Sequence, residues 1–181
     1  TDVTYVYGDI WNCTVTADDG FISSTNSSVN ITLNNSAPLL EDFEFTANVY
    51  NTTVIDVNIT YEDAELHVGT INTTWYVNNV ATASTVVSSV VNATILNRQF
   101  GPSEFSKSDT VNITFAVNDS YNVSYYNYQW TVLNSLPFVS APGITYNGSA
   151  LNCSVEPAID LDLDPIMYNF TWYKTCRSWF R

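Results

Sequence analysis

The sequence predicts an all-β protein of tandem immunoglobulin-like β-sandwiches, one complete and two partial, on three observations. Val, Ile, Thr, Tyr, Phe and Trp recur through all 181 residues, while Lys and Arg together number five and Met occurs once. Apolar side chains alternate with Asn, Thr and Ser over short runs, which is the pattern of half-buried strands. The chain also repeats itself at a spacing of about 100 residues, the size of one immunoglobulin-type sandwich.

The repeat rests on three matches. Gly8 to Gly20 aligns with Ser108 to Ser120, Asn35-Ser36-Ala37-Pro38 with Asn134-Ser135-Leu136-Pro137, and Asn72 to Tyr76 with Asn169 to Tyr173. Placed on this period, residues 1-36 are the C-terminal part of one domain, 37-136 a complete domain, and 137-181 the N-terminal part of a third. Within the complete unit, strands are expected near 43-50, 53-61, 70-77, 84-95, 109-117 and 122-133, with Trp75 buried on the third. Each Asn-Ser-X-Pro junction suits a short connector, because proline cannot donate to a continuing ladder and restricts its predecessor.

Apolar residues at 45% can supply such a core, and charged residues at 13% fall well below the soluble average. Asn, Thr and Ser must therefore keep the surface wet. The net charge of −13 and the crowding of Lys174, Arg177 and Arg181 at the C-terminal end leave no basic stripe for phosphates, which excludes nucleic acid as a partner. No run approaches the ~20 apolar residues of a membrane-spanning helix, so no membrane span is expected, and Thr1 opens a polar segment without signal-peptide features.

The polar residues are organised. The N-glycosylation acceptor pattern occurs at Asn12, Asn26, Asn30, Asn34, Asn51, Asn58, Asn72, Asn92, Asn112, Asn118, Asn122, Asn147, Asn152 and Asn169, which is 14 of 21 asparagines. That is roughly threefold the number random pairing of these residue frequencies produces. Several sequons carry an apolar middle residue: Cys13, Ile31, Ile59, Ile113, Val123 and Phe170. Residues two apart in a strand share a face, so Asn and Thr are expected to point outward, with the middle side chain in the core and N-linked glycans growing from the sheet faces. A plainer reading, that Asn and Thr merely fill the polar half of the alternation, fits less well because asparagine is depleted in strands.

Catalytic chemistry is sparse. His67 is the only histidine, which excludes zinc sites built from Cys and His and leaves a serine triad dependent on one loop residue; an ordinary core or loop role suits it better. No enzyme is expected. The run Tyr121, Tyr125, Tyr126, Tyr128 and Trp130 could stack on sugar rings, although alternation sends half of it into the core.

Taken together, the Asp160-Leu161-Asp162-Leu163-Asp164 stretch, Tyr168 to Tyr173, Trp75-Tyr76-Val77-Asn78, Gly8 to Gly20 and the two proline junctions resemble the tandem Ig-like, PKD-like and cadherin-like repeats of archaeal and bacterial surface proteins. The resemblance covers nearly the whole chain, apart from the altered Ser108 to Ser120 copy and the ending Lys174 to Arg181. It implies an extracellular or cell-surface structural glycoprotein, in a filament, appendage or surface layer. Asp160, Asp162 and Asp164, with Glu156 nearby, carry the hard oxygens that calcium takes; Asp18 and Asp19 can contribute from a neighbouring loop, as at junctions of cadherin-like repeats, and Glu62, Asp63 and Glu65 offer a weaker set. Clustered carboxylates are more often simply a solvated loop, and no other cofactor is expected.

Cys13 and Cys153 fall where this fold commonly carries its inter-sheet disulfide, while the complete domain has Ile113 and Val57 there. A bond between them within one chain is not expected, because an intact domain intervenes. Two arrangements stay open. Residues 137-181 of one copy and 1-36 of the next can form a composite sandwich in a head-to-tail polymer of the chain with itself, although the strand near 84-95 then lacks a counterpart. Alternatively the chain is a window on a longer array, with each cysteine's partner outside it. A second functional class is an adhesin or carbohydrate-binding module using the aromatic run.

Overall fold

The computed structural model describes residues 6-174; residues 1-5 and 175-181, among them Cys176, Arg177 and Arg181, lie outside the described part. The described chain is all-β, with eleven antiparallel strands and a single 3₁₀ turn at Pro102–Glu104. Two of them, β1 (Ile10–Val15) and β2 (Ser27–Thr32), form a separate hairpin. Seven form a complete sandwich: β3 (Leu39–Phe45), β4 (Ile55–Glu62), β5 (Gly69–Val77), β6 (Val80–Val90), β7 (Thr94–Phe100), β8 (Thr110–Asn118) and β9 (Val123–Thr131). A second hairpin, β10 (Gly143–Tyr146) and β11 (Leu151–Ser154), follows.

The sandwich has one sheet in the order β3-β4-β7 and another in the order β6-β5-β8-β9, a Greek-key arrangement of the immunoglobulin kind. Period-two alternation builds its core. Ile55, Val57, Ile59 and Tyr61 line the inner face of β4, and Val111, Ile113, Phe115 and Val117 the inner face of β8, all with no solvent exposure. Burying side chains of this size stabilises the fold by roughly 1.5–3 kcal/mol each. Trp75 is buried on β5 as expected, stacked on Phe100 with centroids 4.9 Å apart. Side-chain hydrogen bonds lace the sheets together: Trp130 Nε1 donates to the Thr46 carbonyl at 2.9 Å, the Leu40 amide donates to the Tyr126 hydroxyl at 2.9 Å, and Arg98 Nε donates to the Thr73 hydroxyl at 3.2 Å.

Two strand expectations need correction. The run expected near 84-95 is two strands, and the complete unit therefore has seven rather than six. Asn78 and Asn79 both adopt positive φ, 50° and 66°, and so make the tight turn that lets Val77 face Val80 and starts β6 early. A second turn at Asn92 and Ala93 (φ 61°), closed by the Thr94 amide donating to the Val91 carbonyl at 3.2 Å, carries the chain across to the other sheet as β7. The first strand runs over Leu39–Phe45 rather than 43-50. Beyond it the chain changes sheets, with Tyr50 bridging Leu133 in parallel beside a buried Val49.

The repeat is geometric as well as textual. Cys13 faces Val29 as Ile113 faces Tyr128, so β1–β2 has the register of β8–β9. Ile144 faces Cys153 as Phe45 faces Val57, so β10–β11 has the register of β3–β4. Turns recur too. Asp19 Oδ1 accepts the amides of Phe21 and Ile22, and Asp119 Oδ1 those of Tyr121 and Asn122. Gly20 has φ 86° where Ser120 has φ 80°, which explains why glycine suits the first copy.

Candidate functional site

Three features could carry function: the sequons, the two junctions between repeats, and the uncovered faces of the two hairpins. On the four-stranded sheet the sequon geometry holds in part. Asn72 projects outward from β5 beside buried Thr73, and Asn112 and Thr114 flank buried Ile113 on β8. On β4, Ile59 is buried as expected but Thr60 is buried with it.

Asn122 needs a correction. Val123 is 44% exposed, whereas Ser124 lies on the inward face with Tyr126, Tyr128 and Trp130. Register decides this: Ser124 faces Val117 and Tyr126 faces Phe115 across the β8–β9 ladder, which fixes those positions toward the core. Tyr125 is turned outward and 78% exposed.

Apart from Asn118, at the end of β8, the remaining sequons sit outside the sandwich strands. Asn12 and Asn30 pair on the β1–β2 hairpin, with the Asn12 Nδ2 donating to Asn30 Oδ1 at 2.5 Å, and their middle residues Cys13 and Ile31 are exposed because no described sheet covers them. Asn26, Asn34 and Asn147 are exposed in turns or connectors, Asn118 is exposed at the end of β8, and Asn152 is exposed on β11. Asn169 lies in an extended segment outside any strand. Asn92 and Asn51 are engaged. Asn92 Oδ1 accepts the Asp63 amide at 2.6 Å, and Asn51 Nδ2 donates to the Leu161 carbonyl at 2.5 Å.

Each junction is built from an aspartate-centred turn of one repeat and the connector entering it. At the first, Asp63 Oδ1 accepts the amides of Glu65 and His67 at 3.1 and 2.8 Å. Glu65 then receives the Ser36 amide and hydroxyl at 3.2 and 2.9 Å, and Asn35 Nδ2 donates to Asp119 Oδ2 at 2.7 Å. Tyr7 packs on His67 and Tyr121, with centroids 6.0 and 4.6 Å away. Burial acts most strongly on the Asp119 carboxyl and pushes its pKa up, but hydrogen bonds from Asn122, Asn35 and Tyr121 together prevail and hold it below the usual carboxylate range.

The second junction reproduces the first with different chemistry. Asp160 Oδ1 accepts the amides of Asp162 and Asp164 at 2.8 and 3.2 Å, and Asp162 receives the Ser135 amide. Asp164 stands where His67 stands in the first copy, and it is bound by Lys107, which occupies the position of Tyr7. The Lys107 ammonium is held in its charged form chiefly by its hydrogen bond to Asp164.

Asp160, Asp162 and Asp164 converge, with ligand atoms within 4.8 Å of one another. Their fit to calcium is poor, because Lys107 already brings a positive charge to the cluster and a calcium ion takes six to eight oxygens. Asp18 and Asp19 do not join this cluster: their oxygens serve their own turn, the Ser23 hydroxyl and Gly20 amide holding Asp18 low and the Ile22 and Phe21 amides holding Asp19 low. Cys13 is a free thiol on exposed β1 and Cys153 a free thiol on β11, and they are not bonded to each other.

Both hairpins leave an apolar face open. Trp11, Val29 and Ile31 line one hollow with Cys13, and Val155, Ile166 and Phe170 line another with Cys153. Among the described residues, no helix is long and apolar enough to cross a membrane.

No family model matches the chain, and no curated protein matches it. Among solved structures it is similar to the β-glucuronidase of Parabacteroides merdae, at 6% identity and a TM-score of 0.43, covering 62% of this chain and 15% of that one. The same enzyme with glycerol in its active site gives 7% identity, a TM-score of 0.44, and coverage of 64% and 15%. The chain therefore spans a small fraction of that enzyme's length, and a likeness this distant says nothing about activity.

Proposed function

We propose that this protein is a structural, extracellular glycoprotein, not an enzyme, whose Ig-like repeats are arranged head to tail in a glycan-coated filament, appendage or surface layer. The observation that carries the reading is the duplicated geometry: β1–β2 in the register of β8–β9, and β10–β11 in the register of β3–β4. Repeats so related stack in one direction, and each junction is tied by side-chain-to-backbone bonds that limit bending. The open faces bearing Cys13 and Cys153 correspond to opposite halves of one sandwich, so a further repeat unit is the partner they suit, with the two cysteines at its inter-sheet positions.

Glycans at exposed Asn72, Asn118 and Asn147 supply the hydration that so few charged residues cannot. An adhesin reading draws support only from Tyr125 and Tyr121, the exposed members of the aromatic run, which lie near the Asn122 and Asn118 sequons. Electron microscopy of native material, with mass mapping of asparagines after enzymatic deglycosylation, tests the proposal. Filaments or a sheet with sugar at these asparagines are expected; a monodisperse, sugar-free monomer rejects it.

A further inference from the structure

Two buried carboxylates and one imidazole meet at the end of the complete sandwich that receives Asn35 and Ser36. Asp63 and Asp119 are 3% and 2% exposed, and each of Asp63, His67 and Asp119 offers an atom within 4.8 Å of the other two. Asp63 Oδ1 is occupied by two backbone amides, but its Oδ2 is buried and accepts no hydrogen bond. His67 Nδ1 is also buried without a hydrogen bond, 3.5 Å from Asp63 Oδ1. A buried carboxylate oxygen and a buried ring nitrogen without hydrogen bonds each forfeit hydration, and only the long contact of Nδ1 with Asp63 Oδ1 offsets it.

Charge points the same way. Among the described residues, neither Asp63 nor Asp119 pairs with a lysine or arginine. The matching turn of the next repeat has the same Asp-centred frame, yet there Lys107 reaches Asp164 and brings the missing positive charge. The first junction places Tyr7 at that position and His67 opposite it, exchanging an internal cation for an imidazole.

We propose that Asp63, His67 and Asp119 form a binding site for a divalent transition metal of the zinc class, placed at the seam between two repeats. An imidazole nitrogen beside carboxylate oxygens selects zinc, cobalt, nickel or copper over calcium and magnesium, which favour oxygen-only sets. A tetrahedral ion needs donors about 3.3 Å apart, so the His67 ring, carried on a loop, swings inward to close the set. The fourth position is left to water. Carboxylates supply what a single histidine cannot, so the site escapes the Cys and His count that excludes conventional zinc motifs.

The test is calorimetric titration of the full chain, free of any polyhistidine tag and with its three thiols alkylated, using zinc chloride. One saturable equivalent is expected, with a visible absorption band when cobalt replaces zinc and a shift of the sole imidazole's proton resonances. Asp63→Asn keeps an oxygen for the Glu65 and His67 amides while removing the charge, so it should fold with unchanged or raised melting temperature and bind zinc roughly tenfold or more weakly. His67→Gln should behave alike, and Asp160→Asn should leave zinc binding intact. Absence of saturable zinc binding overturns the site, as does binding unchanged in Asp63→Asn and His67→Gln. Calcium binding at this cluster in preference to zinc overturns the metal class.

Discussion

Lys107 binds the Asp164 carboxylate across the second junction, placing an ammonium where three aspartates converge. The lysine belongs to the complete sandwich and the aspartate to the following repeat. This ion pair therefore sets both the electrostatics of the cluster and the tie between units.

Removing that cation should expose the cluster's appetite for another. Lys107→Met is expected to lower the melting temperature in calcium-free buffer and to create a calcium-induced rise that the unaltered chain lacks. Thermal unfolding with and without calcium, using magnesium as the control, measures it. An equal calcium response in both proteins would contradict Lys107's role.

Trp75 should be a sensitive aromatic position of the core. It is 4% exposed and stacked on Phe100, so Trp75→Ala opens a cavity and should cost about 3–5 kcal/mol. Urea unfolding followed by circular dichroism gives the difference, and a loss below about 1 kcal/mol would mean the site collapses freely.

Gly69 is required by proximity rather than by backbone angle. A Cβ there would stand 2.5 Å from the buried ring of Tyr61, so Gly69→Ala should destabilise by about 1–3 kcal/mol through overpacking. Pairing it with Tyr61→Leu, which trims the ring, should recover part of the loss. A double mutant whose losses simply add would refute this contact.

Sequon occupancy should follow accessibility of the amide nitrogen. Asn51 Nδ2 is committed to the Leu161 carbonyl at the second junction, so sugar added after folding should be scarce there and plentiful at Asn72, Asn118 and Asn147. Glycopeptide mass spectrometry reports the ranking. Full occupancy at Asn51 would show that glycosylation precedes formation of that junction.

Alkaline pH should weaken the fold through Tyr61. Burial, reinforced by the charges of Asp63 and Asp119, pushes its hydroxyl pKa up to about 12, and burial with Tyr126 nearby raises that of Tyr128. The unfolded chain releases these protons near pH 10 while the folded one retains them, so the stability contribution is whole below pH 10 and falls as pH climbs toward 12. Denaturant midpoints measured across that window should decline, and Tyr61→Phe should decline less steeply.

Much of this architecture is legible in the sequence. Trp75 on the third strand and the inward positions of β4 and β8 follow from alternation and from the repeat. The split of 84-95 was not, because Val, Ser and Thr continue from Val80 to Val90 and only Asn92-Ala93 interrupts them. The Asn78-Asn79 pair did carry a signal, since asparagine tolerates positive φ. Ser124 misled because an Asn-Val-Ser triplet reads identically in either strand phase.

The sequence by itself determined the fold class, the period near 100 residues and the distribution of sequons, because these depend on composition and on local alternation of side chains. Only the tertiary structure decided which strand phase faces the core, that Lys107 answers Asp164, and that Asp63, His67 and Asp119 share one pocket of charge. Those relationships join residues far apart in the chain, and their energies depend on burial and distance, which a linear pattern does not contain.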